Sequence, residues 1–494
     1  KYFCLMSMYI ILFSVIGYFG LLMLIAWYTS NKADSNSYFT GNKQSPWYIV
    51  AFGLIGDSLS GVTFISVPGA VGTNQFSYMQ IVIGYIFGYL IIAQFLLPLY
   101  YKLNLISIYS YLEKRFGKKA QKTGSLFFIL SRIVGASFRL YIALIVLDIY
   151  FFSAFKIPFA VSTLIVIGLI LLYTYKGGIK TLVWTDTLQS AFLLAGVALS
   201  IYVVCQQLNY NLFDAISAVK ESPMSKLFFF DDWLDKNNFF KQFFGGIFIA
   251  IAMTGLDQNM MQKNLSCKSL GDAQKNIRWF SIVVVFINIL FVGLGVLLYQ
   301  FAALKGIEIP AKTDQLFPTI ALNHVGGIGA IVFILGITAA TFSSADSVLT
   351  TLTTSFCIDI LGYDEAQESK EHKTKRHIIH VSFALILFLI IIVFKELNND
   401  SVINQVFKFA GYTYGPLLGL FAFGLFNKIN IKDSLVPIVC VASPIVCFVL
   451  DNYSVTLFGG YKFGQELLIL NGMITFFGLW LIRNKKVRSD KNAK

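Results

Sequence analysis

The 494-residue chain is 56% hydrophobic and only 13% charged, with a net charge of +13 and a mean hydropathy of +0.69. A water-soluble chain of this length would carry about a quarter charged residues, so a soluble globular protein, a coiled coil, collagen and a disordered chain are excluded. Apolar runs of about twenty residues, rather than alternating ten-residue segments, indicate an all-α membrane protein and not an outer-membrane barrel.

In chain order, thirteen spans are predicted near 4–28, 47–70, 79–101, 123–151, 158–174, 184–206, 241–262, 279–303, 327–356, 377–394, 403–426, 434–451 and 464–482. The first is too long for a signal-peptide core and no small-x-small cleavage site follows it, so it is expected to stay in the membrane. With the N-terminus outside, the loops and tail assigned to the cytoplasm hold 26 Lys and Arg and the opposite side holds nine. The remaining four, Arg132, Arg139, Lys241 and Lys408, lie in or at the ends of spans. That asymmetry puts the C-terminus, with its basic stretch Arg483–Lys494, in the cytoplasm. The basic excess is topological, and no nucleic-acid partner is expected.

Six cysteines (Cys4, Cys205, Cys267, Cys357, Cys440 and Cys447) have neither disulfide-like nor metal-ligand spacing and are expected to be free thiols. An enzyme is not expected, because no HExxH, GxSxG or His cluster lies within a span. His324, His372, His377 and His380 fall at or near span ends and are expected to be interfacial and solvated. No nucleotide-binding module is present to drive a pump, and the longest stretch between spans is about 207–240. Passage of a solute remains.

Ionisable groups at membrane depth are costly enough to be functional candidates. Here they are Asp57, Arg132, Arg139, Asp148, Asp186, Asp257 and Asp346. The second span reads Gly56-Asp57-Ser58-Leu59-Ser60-Gly61-Val62-Thr63, polar residues bracketed by glycines. A helix unwound there would free carbonyls that hydrocarbon cannot satisfy, which suits a cation site beside a cavity. The alternative is a Gly/Ser packing face. In the ninth span Ala340, Ser343, Ser344 and Ser347 share one helical face, with Asp346 alongside. Hydroxyls and carbonyls with one or two carboxylates suit a monovalent cation better than calcium.

The run Tyr173-Thr174-Tyr175-Lys176-Gly177-Gly178, followed by Trp184-Thr185-Asp186-Thr187-Leu188-Gln189, resembles the signature of the sodium/solute symporter family. Asp257-Gln258-Asn259-Met260-Met261-Gln262-Lys263 through Lys268-Ser269, Ser343-Ser344 and Gly415-Pro416 fit the same family. The resemblance implies the inverted five-helix repeat of the bacterial leucine transporter and about 13 transmembrane helices. It implies an extra helix and linker at 1–46, a first repeat at 47–206, an extracellular loop at 207–240 and a second repeat at 241–426. Two more helices and a basic tail would fill 427–494. Independently of the resemblance, each half opens with an interrupted helix, at Gly56–Gly61 and around Gly255, as expected at a midplane site.

By this resemblance the protein is a sodium-coupled symporter importing a small organic solute (a sugar, a sialic-acid-like or other organic anion, or an amino acid) across a bacterial inner membrane, as a monomer. The alternative is a non-transporting solute sensor of the same fold, which would carry cytoplasmic kinase modules after the last span. The resemblance assigns a main sodium site to the carbonyls of Gly56, Leu59 and Ala340 and the hydroxyls of Ser343 and Ser344. A second site, present in the family's sialic acid transporters, would use Asp186, Ser343, Asp346 and Ser347, with Asp346 standing where those transporters have serine. The competing possibility is that Asp186 and Asp346 share a proton and tie two helices together. Substrate candidates are Ser58, Ser60, Thr63, Tyr78, Asn259, Tyr412 and Tyr414. The arginine that receives the carboxylate in sialic acid transporters falls on Gly135, and the assisting glutamine on Val82. Arg132 and Arg139, seven apart on that same span, suggest an anionic solute, the alternative being pairing with Asp148, Asp57 or carbonyls.

Overall fold

The computed structural model describes residues 2–30, 35–175, 177–363, 370–397 and 400–484. Lys1, Lys176 and the tail from 485 to 494 lie outside the described residues, as do the side chains of Cys4 and Lys408. The described residues contain helices and no strand, only isolated bridges such as Ser45 to Cys267.

The first helix is α1 (Tyr2–Thr29). A pair bent by 61°, α2 (Trp47–Ser58) and α3 (Gly61–Asn74), comes next. Four further helices follow: α4 (Tyr78–Lys102), α5 (Lys118–Ile149), α6 (Phe159–Thr174) and α7 (Gly178–Leu208). The pattern then repeats with a pair bent by 63°, α8 (Phe239–Gly255) and α9 (Gln258–Leu265). Behind it come α10 (Leu270–Lys305), α11 (Gly326–Ile360), α12 (Glu371–Leu397) and α13 (Phe409–Phe426). Two last helices, α14 (Asp433–Asn452) and α15 (Leu467–Leu481), end the described chain. Among the described residues nine helices are long and apolar enough to span a bilayer, and the two bent pairs and the shorter α6 and α15 occupy the other four predicted spans.

Sequence periodicity decides which faces meet lipid. On α10, Phe280, Val284, Ile287 and Phe291 are buried, while Ile282, Phe286, Ile289 and Leu290 are exposed. From Trp279 to Leu298 the helix is apolar on both faces apart from Ser281 and Asn288, as suits a membrane span with one face packed on protein and the other on acyl chains. The reverse holds for α11, whose Ser/Thr-rich stretch from Gly336 to Ser355 is buried throughout. Polar side chains at this depth need protein partners, so α11 forms the centre of the bundle.

The backbones of α4 and α8 approach closely. A Cβ added to Gly84 would lie 2.2 Å from the Phe243 carbonyl oxygen, and one added to Gly246 would lie 2.2 Å from that of Ile81. Only hydrogen at these positions allows such backbone approach. Gly84→Ala is therefore expected to lower stability by about 1–3 kcal/mol through overpacking, measured as thermal unfolding in detergent. Gly168→Ala, where nothing lies within 4 Å of the added carbon, is the matched control.

Two expectations are corrected. Lys263, counted above among the cytoplasmic-loop charges, has a side chain only 1% exposed, because α9, bent 63° from α8, is buried from Gln258 to Leu265. His380 is buried rather than solvated: its Nε2 lies 3.0 Å from the Thr174 hydroxyl and its Nδ1 lies 3.0 Å from that of Thr353. The five described cysteines are buried and unpaired.

Candidate ion and solute site

Both helix breaks face α11 and α5 but dispose of their backbone groups differently. At the first, Leu59 (φ −97°, ψ 85°) and Ser60 (φ −72°, ψ 169°) leave helical geometry. The Leu59 N–H still donates to the Ile55 carbonyl, and the ladder resumes with Phe64 N–H to the Ser60 carbonyl. Among the described residues no hydrogen-bond donor reaches the carbonyls of Gly56 or Leu59 across this interruption. At the second break the freed carbonyls are capped: Tyr100 hydroxyl donates to Gly255 at 2.8 Å and Tyr109 hydroxyl to Leu256 at 3.0 Å. A buried carbonyl left open is costly unless something else binds it.

The open stretch lies against the hydroxyls of α11 and α7. Gly56 N–H donates to Ser190 Oγ at 2.8 Å, and a Cβ at Gly56 would come within 2.8 Å of both Ser190 Oγ and Ser343 Oγ. Glycine is thus needed here for close approach, and the structure brings Gly56 to Ser343. Ser344 Oγ donates to the Ala340 carbonyl at 3.2 Å, one turn back on the same helix. No metal-type cluster of His, Cys, Asp and Glu occurs among the described residues.

Beside this stretch is a buried charge cluster built by helical spacing. On α7, Asp186 and Gln189 stand three apart and face α11. Ser343 donates to Asp186 Oδ1 at 3.4 Å, and Ser347 Oγ lies 3.4 Å from Asp186 Oδ2. Asp346 accepts from Tyr173 at 2.7 Å, Gln189 at 3.1 Å and Ser347 at 3.2 Å. Ser347 therefore stands between the two carboxylates. On α9, Asn259 and Lys263 are one turn apart and both reach Asp57, at 2.8 and 3.1 Å. The Lys263 ammonium also meets Asp186 at 2.5 Å and Ser347 at 2.7 Å.

A cavity enclosing about 600 Å³, mouth included, opens on the other side of the first break. Of the predicted substrate residues, Ser58, Tyr78, Arg132 and Arg139 line it, together with Asp57. Tyr85, Tyr89, Met253, Thr254 and Asn288 also line it and were not anticipated from the sequence. Tyr85 and Tyr89 could have been found from Tyr78, since they extend its face of α4 at seven- and four-residue steps. Ser60, Thr63, Asn259, Tyr412 and Tyr414 do not line the cavity. Asn259 is spent on Asp57 and Thr351, and Tyr412 donates to Asp451 on α14.

The two arginines part company. Arg132 Nε is 2.6 Å from Asp257 Oδ2, a partner not among those considered from the sequence. Tyr414 donates to the same carboxylate at 2.5 Å, and Asp257 also caps α9 through Met260 N–H at 3.1 Å. Arg139 has no carboxylate within ion-pair distance among the described residues, and it lines the cavity. Gly135, one turn before it, has open space beside its Cα. Asp148, at the end of α5, accepts from Ser162 at 3.5 Å and belongs to neither cluster.

Among curated proteins the chain is 25% identical to the sodium/sialic acid symporter NanT of Aliivibrio fischeri, over 94% of this chain and 92% of that one. It is 24% identical to the sodium/glucose cotransporter of Vibrio parahaemolyticus, over 83% and 78% of the two chains. The fold matches a solved Na+-coupled sialic acid symporter with a TM-score of 0.81 at 23% identity, covering 96% of this chain and 97% of that one. Residues 38–471 match the sodium:solute symporter family, to which this multi-pass membrane protein belongs.

Proposed function

We propose that the protein is a sodium-coupled symporter that imports a small organic solute bearing an anionic group, by alternating access. Sodium is held by the carbonyls of Gly56, Leu59 and Ala340 with the hydroxyls of Ser343 and Ser344, and the solute occupies the cavity beside Ser58 and Tyr78 with its anion on Arg139. The observation that carries the sodium site is the contrast between the two breaks: tyrosines cap the carbonyls of the second, whereas among the described residues no donor reaches those of Gly56 and Leu59 at the first, where Gly56 packs against Ser343. The anion is argued from Arg139, which lines the cavity with no protein carboxylate in reach among the described residues. A guanidinium at membrane depth favours a counter-charge, and a carboxylate fits its fork bidentately.

The same reading divides the chain into repeats at 47–206 and 241–426, with the N-terminus outside a bacterial inner membrane, and makes the monomer the working unit in lipid. Family membership supports the carrier over the sensor. Uptake into proteoliposomes driven by an imposed sodium gradient tests it: a carrier accumulates solute, a sensor binds without accumulating. Ser343→Ala is expected to raise the half-maximal sodium concentration about tenfold, as loss of one contact of about 1.5 kcal/mol requires. Unchanged sodium dependence would remove Ser343 from the ion site.

A further inference from the structure

We infer that the ε-ammonium of Lys263 is a built-in occupant of the second cation position, so that the protein binds one sodium ion where the oxygens of α7 and α11 alone would hold two. The inference rests on the sodium-coupled reading above and concerns how many ions that reading requires. An ammonium has three protons and no acceptor. Lys263 has three oxygen partners from three elements: Asp186 on α7 at 2.5 Å, Ser347 on α11 at 2.7 Å and Asp57 on α2 at 3.1 Å. The side chain is 1% exposed, and all its hydrogen-bonding capacity is satisfied.

Two of those acceptors, Asp186 and Ser347, are half of the expected second sodium site. Of the other two, Asp346 already accepts from Tyr173 at 2.7 Å and Gln189 at 3.1 Å, and Ser343 is shared with the main site. A sodium ion placed among these oxygens would share Asp186 and Ser347 with the ammonium, and two like charges held so close repel strongly away from bulk water. The tethered cation also has a high effective concentration, because it never leaves the protein.

The main site escapes this exclusion. Asp57, Asp186 and Asp346 outnumber Lys263 three to one, so even with one proton shared between Asp186 and Asp346 the region stays net negative and able to accept one mobile cation at the open carbonyls of Gly56 and Leu59.

Counting bound sodium tests the inference without knowledge of the solute. With purified full-length protein in detergent and ²²Na+ as the probe, wild type is expected to saturate at one ion per chain with a Hill coefficient of one. Lys263→Met removes the charge at similar volume and is expected to bind two ions, whereas Lys263→Arg keeps the charge and is expected to bind one. Two ions in wild type, or one in a monodisperse Lys263→Met protein, would overturn the tethered-cation inference while leaving sodium coupling intact. No sodium bound by wild type would instead sink the sodium-coupled reading. If Lys263→Met does not purify as a monodisperse protein, Lys263→Gln is counted in its place, and the wild-type count of one against two decides independently.

Discussion

Asp257→Ala is expected to cost about 3–5 kcal/mol of stability, the penalty for leaving a buried ionic partner uncompensated. Arg132 would lose its carboxylate at 2.6 Å, Tyr414 its acceptor at 2.5 Å, and α9 the side chain that caps Met260 N–H. The cap alone accounts for about 1 kcal/mol. In thermal unfolding the single variant should therefore fall well below wild type. The double variant Asp257→Leu with Arg132→Met removes both charges, and it is expected to recover most of the loss because replacing a buried pair by apolar groups is often neutral. A single variant as stable as wild type would mean that Arg132 finds another partner when Asp257 is gone.

For Arg139→Gln the expected loss is in solute affinity, about 2–4 kcal/mol if one desolvated charge pair is removed. Folding and sodium binding should remain near wild type, since Arg139 has no protein carboxylate to abandon among the described residues. The measurement is a thermal-shift screen of neutral sugars, amino acids and organic acids, with and without sodium, on wild type and variant. Sodium-dependent stabilisation by organic acids that the variant loses is the expected result. Stabilisation by neutral sugars alone, or equal stabilisation of the variant, would remove the anion from the proposal. Arg132→Gln should behave differently, losing stability as well, because that guanidinium is committed to Asp257.

What the sequence revealed and what it hid follow from the length scale of each signal. Hydropathy summed over about twenty residues found the thirteen helical segments, and the bracketing glycines marked the first break to within a residue or two of Leu59 and Ser60. The approach of Gly56 to Ser343 followed from the motif pattern, which already contains the packing of two helices nearly three hundred residues apart. Lys263 was misplaced for a local reason. The apolar run ends at residue 262, so a lysine just after it reads as loop, and nothing in hydropathy says that α9 stays buried through Leu265. One signal was present: Asn259 and Lys263 lie four apart in a segment rich in amides, and such a stripe at the end of a broken span calls for a buried acid opposite. The partner of Arg132 was hidden because Asp257 is 125 positions away, on the other half of the chain. Tyr412 and Tyr414 could not be told apart by composition. Two residues of separation turn a helix by about 200°, so one faces Asp257 and the other Asp451.

If the lysine fixed among Asp57, Asp186 and Ser347 takes the second cation position as inferred, an energetic consequence for the cell follows. A cation bonded to the chain returns with the chain, so over a full cycle it does no work on the solute. A monoanion accompanied by one sodium ion then moves no net charge. The membrane potential, equivalent to about 2.3 kcal/mol per charge at 100 mV, drops out of the balance. A tenfold sodium gradient supplies about 1.4 kcal/mol and sustains about tenfold accumulation. A neutral solute carried with the same single ion would also draw on the potential and reach roughly 500-fold. Uptake of a monoanion by this protein would thus follow sodium concentration and ignore voltage, a carrier suited to collecting an abundant acid in a sodium-rich setting even when the membrane is depolarised.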